Sequence, residues 1–264
     1  LEFVNNDEFK KNNIEDVNSI EFKNVVFKYP KATTPSINKI SFTIEKNMHI
    51  SIVGDNGAGK TTIIKLLLGL YDKYDGEILI NNINLKEINL KKYINLFGVV
   101  FQDFNIYPLS IKDNIIFDKE CEQTVLLNML QKVQLKDKVE SLENKIDTVV
   151  SKEFDKNGTI LSGGEMQKIA IIRSLIKKNK AIVIDEAFSH IDIKSEIAIY
   201  QILQEETESK LLISISHRLA TTINSDLIIV LNEGKICEIG SHEDLMKNKA
   251  KYYEMFCSQR NQYL

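Results

Sequence analysis

Gly54-Asp55-Asn56-Gly57-Ala58-Gly59-Lys60-Thr61 is the stretch that decides the fold. Its glycines let the backbone turn tightly and aim N–H groups at an anion. Lys60 can reach a β- or γ-phosphate, the Thr61 hydroxyl can ligate magnesium, and Thr62 can add a phosphate contact. Just upstream, Ile50-Ser51-Ile52-Val53 is a short β-rich run, and from Lys60 to Leu70 the apolar spacing predicts a helix. A strand, a glycine loop and a helix in that order place a phosphate at a positive helix end. Such an eight-residue pattern also occurs by chance; its flanks predict that here it binds polyphosphate.

Two further stretches belong with the loop. Ala181-Ile182-Val183-Ile184-Asp185-Glu186 gives four apolar residues and then two carboxylates, so both acids emerge at a strand's C-terminal edge, where α/β sheets bind ligands. Asp185 is expected to hold magnesium, directly or through water. Glu186 is expected to accept a proton from, or to orient, the water that attacks a terminal phosphate. Adjacent acids are usually a solvated turn; the wholly apolar strand and the phosphate loop in one chain favour a site. Leu161-Ser162-Gly163-Gly164-Glu165-Met166-Gln167 sets a serine and glycines before a helical run, a second anion-binding terminus. One phosphate does not need two such termini. The second is expected to cap a nucleotide bound to another subunit, which predicts a dimer with nucleotide in its interface.

The rest of the chain alternates strands and helices. Ser19 to Tyr29, Ile37 to Ile44, Gly76 to Ile80 and Phe97 to Phe101 read as strands, the first two forming an antiparallel layer. From Asp103 to about Ile160 strand signals fade and apolar positions recur at helical spacing, which predicts a helical subdomain, about 103–177 in all. Gly163 to Lys177 and Asp192 to Glu206 then read as helices, and Leu211 to Ser214 and Leu227 to Leu231 as strands. That alternation predicts a parallel sheet. Ser241-His242-Glu243-Asp244 has capping-box spacing, so His242 reads as structural, as does His49. The acidic, Asn-rich residues 1–18 read as a linker or a terminal edge, leaving 19–264 as one domain.

Composition narrows the partners. At 264 residues the chain can bury a real core, and a net charge of −3 with a pI near 5.9 gives no basic surplus for nucleic acid. Cys121, Cys237 and Cys257 are odd in number and scattered, which suggests neither a disulfide framework nor a zinc site and fits a reducing, cytosolic environment. No apolar run approaches the ~18–20 residues needed to cross a bilayer, and the N-terminus lacks the order of a signal peptide.

With these residues in view, the chain from about Ser19 onward resembles the nucleotide-binding domain of ATP-binding cassette (ABC) transporters, whose defining signature Leu161–Gln167 matches. The resemblance implies an α/β P-loop NTPase with a mixed or parallel core sheet, an N-terminal antiparallel β subdomain and an inserted α-helical subdomain. It implies ATP and Mg²⁺ as ligands, with Gly54, Asn56, Gly57, Ala58, Gly59, Lys60, Thr61 and Thr62 around the phosphates. Two such domains, identical or different, would close head-to-tail, each ATP also meeting the partner's Ser162, Gly163, Gly164 and Gln167. Residue by residue, Tyr29 matches the aromatic that stacks on adenine and Gln102 the glutamine that touches magnesium and attacking water. His217 matches the histidine that contacts the γ-phosphate and positions Glu186. A transmembrane domain, fused upstream or separate, would be the second partner, and the cytoplasmic face of the plasma membrane the location.

The match departs at Ala187-Phe188-Ser189-His190-Ile191-Asp192, where the family usually has threonine, alanine and leucine in place of Phe188, His190 and Ile191. His190 reads more simply as a neutral substitution than as a tuner of the interface. Ser151 to Gly158 also departs from the shorter glycine-glutamate pattern common in exporters. Elsewhere, Gln102-Asp103, Leu109 to Ile115 and Ile215 to Leu245 are similar to exporters, with a faint hint of peptide or bacteriocin cargo. A soluble ABC protein of ribosomes or DNA would typically carry paired cassettes, long coiled-coil insertions or zinc motifs, which the sequence lacks. A small-molecule P-loop kinase would leave Leu161–Gln167 without a purpose.

Overall fold

The computed structural model describes residues 12–117, 121–176, 179–186, 188, 193–208, 210–216 and 218–262, the side chains of 193, 194, 197, 206 and 260–262 excepted. Its elements, in order, are β1 (Ser19–Phe27), β2 (Ile37–Glu45), β3 (His49–Gly54), α1 (Lys60–Leu67), β4 (Asp75–Ile80), β5 (Ile83–Asn84), α2 (Leu90–Ile94) and β6 (Phe97–Val100). There follow α3 (Ile111–Ile116), α4 (Gln123–Lys132), α5 (Lys136–Glu140), α6 (Gly163–Ile176), β7 (Ala181–Asp185), α7 (Ile193–Glu206) and β8 (Leu211–Ile215). The chain continues through β9 (Leu227–Asn232), β10 (Lys235–Gly240), α8 (His242–Asn248) and α9 (Lys251–Gln262).

Two units can be separated. The first comprises Leu1–Phe97, Asn179–Asp185 and Ser209–Leu264. Its N-terminal sheet has the order β2-β1-β4-β5, with every neighbouring pair antiparallel. Phe22 on β1 faces Phe42 on β2 with their rings stacked 4.6 Å apart. The core sheet runs β10-β9-β3-β8-β7 and reaches Phe97, the start of β6, at its far edge. β3 is parallel to β8 and β9, and β7 to β8, whereas β10 is antiparallel to β9, so the sheet is mixed. All residues of β3, β7 and β8 are buried. Strands covered on both faces need no polar side, which is why they read as nearly unbroken apolar runs. α1 buries Ile63, Ile64, Leu66 and Leu67, and a further cluster joins Val53, Ile228 and Val230 to Leu219, Leu245 and Tyr252.

His49, Ser51 and Ser214 of this sheet and Ser225 just before β9 form a buried polar group beside exposed Asp226. The His49 imidazole Nε2 lies 3.3 Å from Ser214 Oγ, Ser51 Oγ is 3.1 Å from Ser214 Oγ and 2.7 Å from Ser225 Oγ, and the His49 N–H donates to Asp226. Burial lowers the His49 pKa from 6.5 to about 4, partly opposed by the Asp226 charge. A depressed folded pKa means that the unfolded chain takes up this proton first as pH falls. The stabilisation from neutral His49 is therefore complete above about 6.5 and lost as pH falls through about 4. Stability should drop by on the order of 2–3 kcal/mol across that window. Urea unfolding at several pH values should show the slope, and His49→Gln should flatten it; an equal slope in the variant would contradict the assignment.

The second unit comprises Gly98–Lys178 and Glu186–Glu208. Its centre is α6, against which α3 and α4 pack. Ser110 caps α3 by accepting the Asp113 N–H, and fully buried Asn114 ties down the preceding loop through Tyr107 N–H and the Tyr107 and Ser110 carbonyls. Helix is confined to short pieces between Ile111 and Asp147, and 148–162 is irregular. Among the described residues no helix is long and apolar enough to cross a membrane.

Candidate functional site

In the first unit the glycine loop joins β3 to α1. Gly54 has φ +148° and pairs with Leu231 across the β3–β9 ladder; a Cβ there would sit 2.3 Å from the Leu231 carbonyl oxygen. Only glycine lets the strands approach this closely while the chain turns out of the sheet. Gly59, at φ +104°, caps α1, and its Cβ would meet the Ser36 oxygen at 2.6 Å. Within the loop, Ala58 N–H donates to the Asp55 oxygen, and Asn56 and Gly57 are exposed.

Side chains converge on this turn. Lys60 is buried, and its ammonium donates to the carbonyl oxygens of Gly54 at 3.0 Å and Asp55 at 3.1 Å, so a positive charge lies inside the curve of the loop. The Thr61 hydroxyl donates to Asp185 Oδ1 at 3.1 Å, and Asp185 is buried at the end of β7. Residues 124 positions apart thus place two hard oxygen donors side by side, a donor set that fits Mg²⁺. Tyr29 OH lies 3.1 Å from the Thr62 hydroxyl, and its ring meets those of Phe27 and Tyr71 edge-on at 4.9 and 5.4 Å. Glu186 follows Asp185 with φ +51°. A side-chain-bearing residue adopts that conformation at a cost, and such strain gathers at functional positions.

In the second unit Ser162 heads α6. Glu165 N–H donates to Ser162 Oγ at 3.2 Å, and Ser162 N–H donates to Glu165 Oε2 at 2.8 Å. This reciprocal capping box fixes the entry to the helix and leaves Gly163 and Gly164 as its first residues, whose N–H groups have no intrahelical acceptor. Gln167 is fully buried one turn on, and Gln102 is exposed at the bend after β6.

The first unit therefore assembles Tyr29, Lys60, Thr61, Thr62 and Asp185 around the loop, and the second holds Gln102, Glu186 and the Ser162–Gln167 stretch. His217 lies outside the described residues, as do Ser189, His190 and Asp192. The Phe188 departure is accounted for by packing, since its buried ring lies 5.5 Å from that of Tyr200. Glu165 went unassigned in the sequence reading although its S-x-x-E spacing announces the cap. Gly234, whose N–H donates to the Ala58 oxygen, and Lys251, bonded to Asp55, also brace the loop, and no local motif marks either.

With this geometry in hand, comparison with known proteins is specific. The family model described as ABC transporter matches residues 37–189. The subtilin transport ATP-binding protein SpaT of Bacillus subtilis is 36% identical over 93% of this chain and 40% of its own length. The ATP-dependent lipid A-core flippase of Haemophilus ducreyi is 34% identical over 91% of this chain and 41% of its own. A bacterial Atm1-family ABC exporter, solved with ATP bound, superimposes with a TM-score of 0.85 at 32% identity, covering 93% of this chain and 42% of that one. The chain thus spans about two-fifths of the length of these relatives. It belongs to the ABC transporter family, as the ATP-binding domain of an exporter-type member.

Proposed function

We propose that the chain is an ATP-hydrolysing motor that closes head-to-tail with a second cassette around two Mg-ATP and drives transmembrane helices from the cytoplasmic face of the membrane. The observation that carries the proposal is the Thr61–Asp185 hydrogen bond, which joins the phosphate loop to the acidic strand end. Loop N–H groups and the Lys60 ammonium would hold the β- and γ-phosphates, and Tyr29 would stack on adenine for about 1 kcal/mol. Thr61 and Asp185, with Gln102, would hold Mg²⁺, which when bound neutralises charge building on the phosphates. Glu186 would take a proton from the attacking water or orient it, and His217 would fix Glu186 and the γ-phosphate. Ser162, Gly163 and Gly164 would serve the ATP of the partner cassette; Gln167, fully buried, would support that helix start instead of touching the ligand. The subtilin transporter among the relatives supports peptide cargo, and the flippase marks lipid as the competing class.

Light scattering on the purified chain tests the assembly. Mass should double with Mg-ATP and stay monomeric with Mg-ADP, because only a γ-phosphate reaches both halves of the site. A mass indifferent to nucleotide would count against the head-to-tail reading.

A further inference from the structure

The phosphate loop bears an acid where it receives a polyanion. Asp55 directly follows Gly54, and its side chain is 61% exposed. An uncompensated carboxylate at that point would repel phosphates through water, where screening is strong but incomplete over a few ångströms. Lys251 meets it, donating to Asp55 Oδ2 at 2.5 Å and to Asn232 Oδ1 at 3.0 Å. The sheet register explains the meeting. Gly54 pairs with Leu231, so Asp55 and Asn232 leave the ends of adjacent parallel strands together.

Lys251 is held in place from behind. It opens α9, and the next residue, Tyr252, is fully buried, its N–H on Glu238 and its hydroxyl 2.9 Å from Thr222 Oγ1 and 2.8 Å from His242 Nδ1. The hydrogen bond to Asp55 also raises the Lys251 pKa, which keeps the ammonium charged. From the same side, the β9–β10 turn braces the loop through Gly234 N–H on the Ala58 oxygen at 3.1 Å.

We propose that Lys251 is a positioning residue for nucleotide binding: it neutralises Asp55 and fixes the start of the phosphate loop, so that the C-terminal helix sets the loop's affinity for ATP. The inference rests on reading the loop as the ATP site. Calorimetric titration of the chain with Mg-ATP, at low and high salt, tests it. Lys251→Ala should bind on the order of three- to tenfold more weakly, with the larger loss at low salt. Lys251→Arg should bind as the parent does, and Asp55→Asn combined with Lys251→Ala should recover most of the affinity because no charge is left to mask. Parental affinity in Lys251→Ala would overturn the proposal. So would a double variant as weak as the single one, since a purely structural prop is not restored by removing the acid. Failure of the parent chain to bind Mg-ATP would overturn the nucleotide reading itself.

Discussion

Glu186→Gln should bind ATP with parental affinity and hydrolyse it at least about 100-fold more slowly, because an amide of the same shape can neither take a proton from water nor polarise it as a carboxylate does. The substitution is close to isosteric, so the φ of +51° and its place beside Asp185 are retained. An interaction made only in the transition state is removed, and the loss should fall on the chemical step while binding stands. Single-turnover hydrolysis together with light scattering checks this: the variant should accumulate as an ATP-bound dimer. Hydrolysis at the parental rate would show that another group is the base.

Lys60→Ala should fail at the earlier step. The buried ammonium reaches the Gly54 and Asp55 oxygens inside the loop, and the charge it offers phosphate there has no substitute in α1, whose first turn carries no acid and whose other base, Lys65, lies in the last turn. Charge-assisted hydrogen bonds to phosphate contribute about 1.5–3 kcal/mol each, so losing one should raise the ATP dissociation constant by roughly 10- to 150-fold. Equilibrium binding of ATP reads this directly. The two variants separate the roles, since one keeps ATP without turning it over and the other does not retain it.

What the sequence made legible follows the range of the interactions. The phosphate loop could be read because strand, turn and helix are contiguous, and each residue's task is local. The strand ending in Asp185 could be read because a strand buried on both faces has only one way to look. Asp185 and Thr61 read as magnesium ligands on chemistry alone, and the hydrogen bond places the two side chains next to each other across 124 residues of sequence. β10 was passed over: its alternating Lys235-Ile236-Cys237-Glu238-Ile239-Gly240 is a half-exposed edge pattern, weaker than the apolar run of β9. The tie from Lys251 to Asp55 spans 196 residues and depends on the β3–β9 register, which no local pattern encodes. The region from Asp103 to Ile160 looked more uniformly helical than it is, because apolar spacing there reflects short helices and capped loops such as the one held by Asn114.

The central claim is that the loop is half of an active site, completed by Ser162–Gln167 of a second copy. Mixing two inactive variants tests it: Lys60→Ala has a dead loop and an intact signature, and Gly164→Asp an intact loop and a dead signature. In a head-to-tail dimer the mixed pair regains one complete site, so hydrolysis should return to as much as about a quarter of the parental rate, from random pairing of exchangeable subunits. If loop and signature of one chain served the same ATP, the mixture would stay as inactive as its components.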